Sequence, residues 1–290
     1  MDFLLCSGYR SLLRALVALP LVVTLTCSGQ SSGQNVYPAF GWCPAASSIA
    51  AYPTRPNFDL PTLTTQCGML EADYGWTVAP ISNGTTQNLA GALRYGVTPR
   101  LDVRWGSTNF IWQTGDSSTQ GPGDQWLGAR YRFHEQTPIT PAFALMYNIK
   151  LPTASQDKAL GSGYVDHNFL FIASKDIRKF HFDFNTVGSL TGSSTGNDGA
   201  VQFGLALWRP VNGKLAFVFE SYGGTQPATS NRLGVAVAGA TYNVTPRLVL
   251  DTAFYQAYTA ASPRQQFTTG FTYTLGPILR PVIRALSPIN

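Results

Sequence analysis

The chain offers few residues from which to build a reactive centre. Its 290 residues include three histidines, His134, His167 and His181. His181 stands beside Asp183 in FHFDFN (180–185). An imidazole and a carboxylate this close could serve as a general base and its orienting group. In an extended chain both project from one face, however, and no nucleophile is specified next to them. His134 falls in a predicted short turn. The serine-rich stretches hold no Gly-x-Ser-x-Gly elbow. Gly161 and Gly163 lack the following helix and Lys/Ser of a phosphate loop. Cys43 and Cys67 have no histidine near them, so a cysteine metal site lacks ligands. The sequence therefore predicts no catalytic set, no metal and no cofactor, and the chain is not expected to be an enzyme.

The charged residues are more informative, because they alternate with apolar ones. In LDVRW (101–105), Leu101, Val103 and Trp105 oppose Asp102 and Arg104. In DQWLGARYRF (124–133), Leu127, Ala129, Tyr131 and Phe133 oppose Gly128, Arg130 and Arg132. In FHFDFN the phenylalanines oppose His181, Asp183 and Asn185. Period two sends successive side chains to opposite faces of a strand. Extended along the chain, this alternation gathers Glu71, Asp73, Arg94, Asp102, Arg104, Arg130, Arg132, His181, Asp183, Glu220 and Asp251 on one face. Both signs are present. Confined charges must be paired or solvated, so arginine–acid pairs across neighbouring strands are expected there.

Twelve such runs follow one another from 68–77 to 266–275. No long segment has a helical period. The connections are expected to alternate between short turns, such as GVTP (96–99) and NVTP (243–246), and longer Gly/Ser/Thr/Asn-rich loops, such as 78–86, 107–123, 152–163 and 188–199. The near-duplicate stretches RYGVTPRLDV (94–103) and TYNVTPRLVL (241–250) fall in the short set and are placed at one end of a meander. Proline suits such turns, since it fixes φ and needs no partner for an N–H.

Composition decides what the apolar face meets. Hydrophobic residues make up 44% and charged residues only 12%, about half the charged share of an average soluble domain. The runs have about the 9–11 residues that cross a bilayer when tilted. Trp76, Tyr95, Trp105, Tyr131, Phe133, Phe143 and Tyr273 lie near run ends on the apolar face, where interfacial girdles form. The fold predicted is all-β: an antiparallel, up-and-down transmembrane β-barrel of about 12 strands in the bacterial outer membrane, with lipid as its surroundings. Closure pairs every backbone N–H and C=O, which lipid demands. The net charge of +5 forms no dense basic stripe, so no nucleic-acid partner is expected.

The barrel is assigned to 68–276. Ahead of it, 1–29 read as a signal peptide: Arg10 and Arg14 precede ALVALPLVVTLT (15–26), which is too short to span a bilayer as a helix. Residues 30–67 read as a periplasmic N-terminal extension, and Cys43 and Cys67 as its disulfide, an even pair in an exported chain. Residues 277–290 (PILRPVIRALSPIN follows the last run) read as a C-terminal tail.

GDQWLGARYRF (123–133), NIKLPT (148–153), GSGYVDHNFLFIASKD (161–176) and FTTGFTYTLG (267–276) resemble, in order and spacing, a family of outer-membrane transporters linked to the MetA pathway of phenol degradation. The resemblance covers roughly 60–276. It implies an outer-membrane β-barrel that transports small solutes, aromatic or other hydrophobic compounds among them, and it carries over no binding residues. Many outer-membrane barrels end on an aromatic in the last strand, and the tail here departs from that pattern. The alternatives are a structural or adhesive barrel with its lumen plugged by loops or by the N-terminal segment and, less favoured, an outer-membrane lipid hydrolase. Neither solute nor oligomeric state is written in the sequence.

Overall fold

The computed structural model describes Cys43 and residues 48–115, 118–226, 232–259 and 263–277. The signal peptide and the C-terminal tail expected from sequence lie outside these residues, the tail except for its first residue.

Thirteen strands follow in chain order: β1 (Met69–Ile81), β2 (Gly84–Thr98), β3 (Leu101–Gln113), β4 (Thr119–Gly121), β5 (Gln125–His134), β6 (Ala142–Leu151), β7 (Asp166–Ile177), β8 (Phe180–Ser193), β9 (Gly196–Pro210), β10 (Leu215–Thr225), β11 (Arg232–Thr245), β12 (Leu248–Ala257) and β13 (Gln265–Pro277). Each long strand pairs antiparallel with its neighbour in sequence, and β3 skips the short β4 to pair with β5. β1 then pairs with β13, from Met69↔Pro277 to Val78↔Phe267. This last ladder closes a 12-stranded barrel. β4 lies outside the ring and pairs only with β3.

Closure leaves no free edge, so the wall can face hydrocarbon. The outward alternates are large and apolar. Leu127, Tyr131, Leu145, Phe169, Phe203, Leu205 and Phe219 are about half exposed, although each sits within a strand. A water-soluble barrel would not present a continuous apolar outer face of this kind. Many of the inward alternates are small or polar: Ala144, Ala206, Asp183, Asn185, Thr272 and Thr274 have no exposed surface.

Three of the expected long loops are mostly strand. In 78–86 and 188–199, β1 and β8 run on to tight hairpins at 82–83 and 194–195, and in 107–123 β3 runs on to Gln113 and β4 takes up Thr119–Gly121. Serine, threonine and asparagine are not loop-specific in a strand that extends past the lipid, because both faces are then wet. Asn83-Gly84 is itself a hairpin signal.

The duplicated stretches do form matching turns. β2 ends at Thr98 and β11 at Thr245, each after a register shift. The Arg100 and Arg247 amides donate to the Thr98 and Thr245 hydroxyls at 3.1 and 3.2 Å. Both turns lie at the rim where β1 begins, together with turns 135–141, 178–179 and 211–214. We call it the N-terminal rim, and the opposite end the far rim.

An arginine placed on the lipid face near mid-wall should therefore cost about 2–4 kcal/mol of folding free energy in bilayers. Leu205→Arg is expected to show this loss in denaturant titrations of the bilayer-folded barrel. Ile139→Arg, on an exposed rim turn, should stay within about 0.5 kcal/mol of the parent.

Candidate functional site: a charged lumen filled by the N-terminal loop

The inward-facing charges assemble into groups, and each group touches the segment that precedes β1. On β1 and β2, Glu71 stands opposite Arg94. The Arg94 guanidinium contacts Glu71 at 2.5 Å and Asp73 at 2.6 Å, with all three buried. On β3 and β5, Asp102 stands opposite Arg130 and binds it at 2.6 Å, while Arg104 shares the same carboxylate at 3.2 Å. Arg94 and Arg104 are themselves opposite each other. The repulsion in this like-charge pair is offset because each guanidinium has its own acid partner, Glu71 and Asp73 for Arg94 and Asp102 for Arg104.

On β7–β9, Asp183 collects donors from Ser174 at 2.6 Å and from Trp208 at 3.1 Å, and His181 lies 3.0 Å away. His181 has its other ring nitrogen 2.6 Å from Asp176. Both imidazole nitrogens are thus committed to carboxylates, and Ser174 bonds to the carboxylate rather than to the imidazole. This geometry gives Ser174 no imidazole base. Arg132 stands apart at the N-terminal rim, half-buried against Glu135 and the Pro99 carbonyl.

The remaining partners come from residues 48–66, read from sequence as a periplasmic extension. They bond to β1, β2, β3, β5, β7, β8, β10, β12 and β13. No path outside a closed barrel reaches strands all round the ring, so the segment lies in the lumen. The incoming leg starts at the N-terminal rim, where the Ala51 amide donates to the Pro246 carbonyl at 2.8 Å. Tyr52 N–H reaches Glu71 at 2.7 Å and Thr54 Oγ1 reaches Asp73 at 2.8 Å. Arg55 is deepest, donating to Thr268 at 2.7 Å and lying 3.4 Å from Asp251. The Tyr255 hydroxyl donates to the Pro56 carbonyl.

The Phe58 and Asp59 amides donate to Glu220 at 3.0 and 2.5 Å, and the Phe58 ring stacks on Tyr222, centroids 4.3 Å apart. The chain then returns. Leu60 exchanges two hydrogen bonds with the Asn185 side chain, Thr62 N–H meets Ser174 at 2.8 Å, and Thr65 N–H meets Asp102 at 2.9 Å. Arg130 donates to the Pro61 carbonyl at 2.6 Å. Thr64 Oγ1 donates to the Pro99 carbonyl at 3.0 Å. The two matching rim turns thus each hold one leg of the loop. The Cys43–Cys67 disulfide closes it at the same rim, with Cα atoms 5.5 Å apart.

Several wall glycines make room for the loop. A Cβ on Gly75 or Gly270 would meet the Arg55 guanidinium, one on Gly204 the Asp59 carboxyl, and one on Gly96 the Thr65 and Gln66 carbonyls. The sequence reading missed Arg55, Asp59 and Ser174, and it put Asn185 on the inward face without giving it a partner. A signal for the first two existed: Arg55 and Asp59 are the only charges between residues 30 and 67. An unstructured, wet segment would not be expected to carry so few.

Comparison with known proteins supports the architecture. An outer-membrane channel from Pseudomonas putida F1 superimposes with a TM-score of 0.55 at 16% identity, covering 79% of this chain and 98% of that one. The NanC porin gives 0.51 at 9% identity, covering 71% and 100%. At these identities the likeness concerns the fold, which is that of an outer-membrane β-barrel. No family model matches the chain, and no curated protein sequence matches it significantly.

Arg94 is the cation that Glu71 and Asp73 share. Its removal leaves two buried carboxylates on a lipid-embedded wall. Arg94→Ala is expected to destabilise the barrel by about 3–5 kcal/mol, read as a lower denaturant midpoint. Adding Glu71→Gln and Asp73→Asn in the same chain should recover most of the loss.

Proposed function

We propose that the protein is an outer-membrane channel for small solutes whose bore is narrowed by its own disulfide-closed loop. The N-terminal rim would face the periplasm, where export leaves the segment preceding β1, and the longer loops would face outward. The far-rim half above the loop would form a vestibule, and solutes would pass where the loop's polar contacts with the wall loosen.

The class of solute follows from one observation. A porin lumen is expected to be polar, but here part of the inner wall is apolar. Ala144, Met146, Leu170, Ile172 and Val187 form an inward cluster on β6–β8, with Phe58 and Leu60 of the loop packed against it. A second inward cluster on β11–β12 contains Val235, Val237, Ala253 and Ala257, flanked by Tyr222 and Tyr255. Such a lining suits aromatic or other hydrophobic compounds, the class implied by the resemblance to the phenol-degradation transporters. Apolar contact of this size is worth about 1.5–3 kcal/mol per buried side chain.

A sealed structural barrel is the second reading, favoured by the number of wall strands that the loop joins. The two separate in planar bilayers. The channel reading expects discrete conductance steps from the refolded chain, altered by Arg104→Ala and blocked by phenol. Val187→Asp should weaken that block about tenfold, the equivalent of one lost apolar contact. A folded barrel without conductance, and without phenol uptake in liposomes, would establish the sealed reading instead.

A further inference from the structure

The apex of the loop contains a carboxyl group with no visible donor. Asp59 has no exposed surface, and no donor reaches either of its carboxyl oxygens. Its own amide donates to Glu220 on β10 at 2.5 Å, which makes the two buried carboxyl groups neighbours. Glu220 is also buried and accepts the Phe58 and Asp59 amides. Two ionised carboxylates in such contact, away from water, repel strongly, and one proton between them removes the conflict.

Among the described residues, the surroundings supply no cation that could do the same. Asp183 on β8 adds further negative charge; its oxygens are engaged by Ser174, Trp208 and His181, and His181 is held between Asp183 and Asp176. From β10 and β12 come Tyr222, stacked on Phe58, and Tyr255, bonded to Pro56. β9 presents Gly204, whose missing side chain is the space the Asp59 carboxyl fills. The nearest loop cation, Arg55, is paired with Asp251. The wall cation Arg130 is paired with Asp102 and the Pro61 carbonyl.

We propose that Asp59 and Glu220 share one proton when the loop is docked, and that this proton is the latch that holds the loop's apex on the wall. The proton resides on Asp59, because Glu220 already accepts two N–H donors that favour its charged form and Asp59 accepts none. Its loss to water turns one hydrogen bond into a contact between two anions, and the apex leaves Glu220. The Cys43–Cys67 bond keeps the legs at the N-terminal rim, so the motion is a local release of residues near 55–60. The inference concerns the position of the loop and holds whether or not the lumen conducts.

The direction of the pH effect follows from linkage. Burial, with Glu220 and Asp183 beside it, holds the docked Asp59 carboxyl well above the usual carboxylate range. The undocked carboxyl ionises in that usual range. Docking is therefore at full strength in acid and weakens as pH rises, by up to about tenfold per pH unit, until the docked carboxyl itself titrates.

The test uses the refolded full chain. Infrared spectra at pH 7 should contain the carbonyl band of a protonated carboxylic acid, and Asp59→Asn should remove it. Residue-specific 4-fluorophenylalanine at position 58 then reports the stack on Tyr222. Its fluorine resonance should move towards the solvent-exposed position as pH rises from 6 to 10. It should stay put in Asp59→Asn, whose amide N–H can still donate to Glu220, and in Glu220→Gln, which removes the opposing charge. A spectrum at pH 7 without a band sensitive to Asp59→Asn overturns the shared proton. A band that is present beside a fluorine resonance that ignores pH, or that moves equally in all three chains, overturns the latch. Conductance enters neither readout, so a failure of the channel reading stays separate.

Discussion

A charge inside a lipid-embedded wall must find a partner inside that wall, and the rest of this structure follows from how the partners are supplied. Lipid offers no hydrogen bonds, so closure satisfies the backbone, but it does nothing for the side chains that alternation sends inward. The β1–β2 and β3–β5 groups are largely self-sufficient, since arginine and acid face each other across adjacent strands. Glu220 and Asp251 are not. Glu220 bonds to the backbone of Phe58 and Asp59, and Asp251 pairs with Arg55. On that side of the ring the wall and the loop complete each other: without the loop these carboxylates would have only lumen water in place of Arg55 and the Phe58 and Asp59 amides.

This dependence explains the shape of the lumen. The loop runs in along β1 and β13, turns near β10 and β12, and returns along β8, β7 and β3, because the polar anchors lie at those places. Glycines stand where its side chains and carbonyls press closest to the wall, at Gly75, Gly96, Gly204 and Gly270. Most of the contacts are polar, and polar contacts exchange with water at a modest net loss. A lumen filled in this way can open by local rearrangement, whereas an apolar plug would have to expose its own core. The apolar clusters on β6–β8 and β11–β12 are where the loop and a hydrophobic solute would meet the same surface.

The barrel was legible in sequence because alternation is a local signal. LDVRW and FHFDFN each state which residues face which way, and the barrel keeps that facing: Val103, Trp105, Phe180 and Phe184 are exposed to the outside. The turn duplication was legible for the same reason. Strand extent at the far rim was not, since the serines and threonines of 188–199 suit a wet strand as well as a loop. The loop was illegible for a different reason. Residues 48–66 have no period, as their partners are spread over nine strands and many of the contacts use backbone groups that no residue type announces. Only Arg55 and Asp59, isolated in a long uncharged stretch, hinted that something waited for them.

Hydrogen exchange across residues 50–66 in the refolded barrel tests the central claim most directly. The account has the amides of Tyr52, Phe58, Asp59, Leu60, Thr62 and Thr65 bonded to wall side chains within the lumen. They should exchange far more slowly than those of an unstructured peptide, with protection approaching that of the neighbouring strands. Exchange at the free-peptide rate throughout 50–66, with the strands still protected, would mean that the segment lies outside and that the wall charges are satisfied by water.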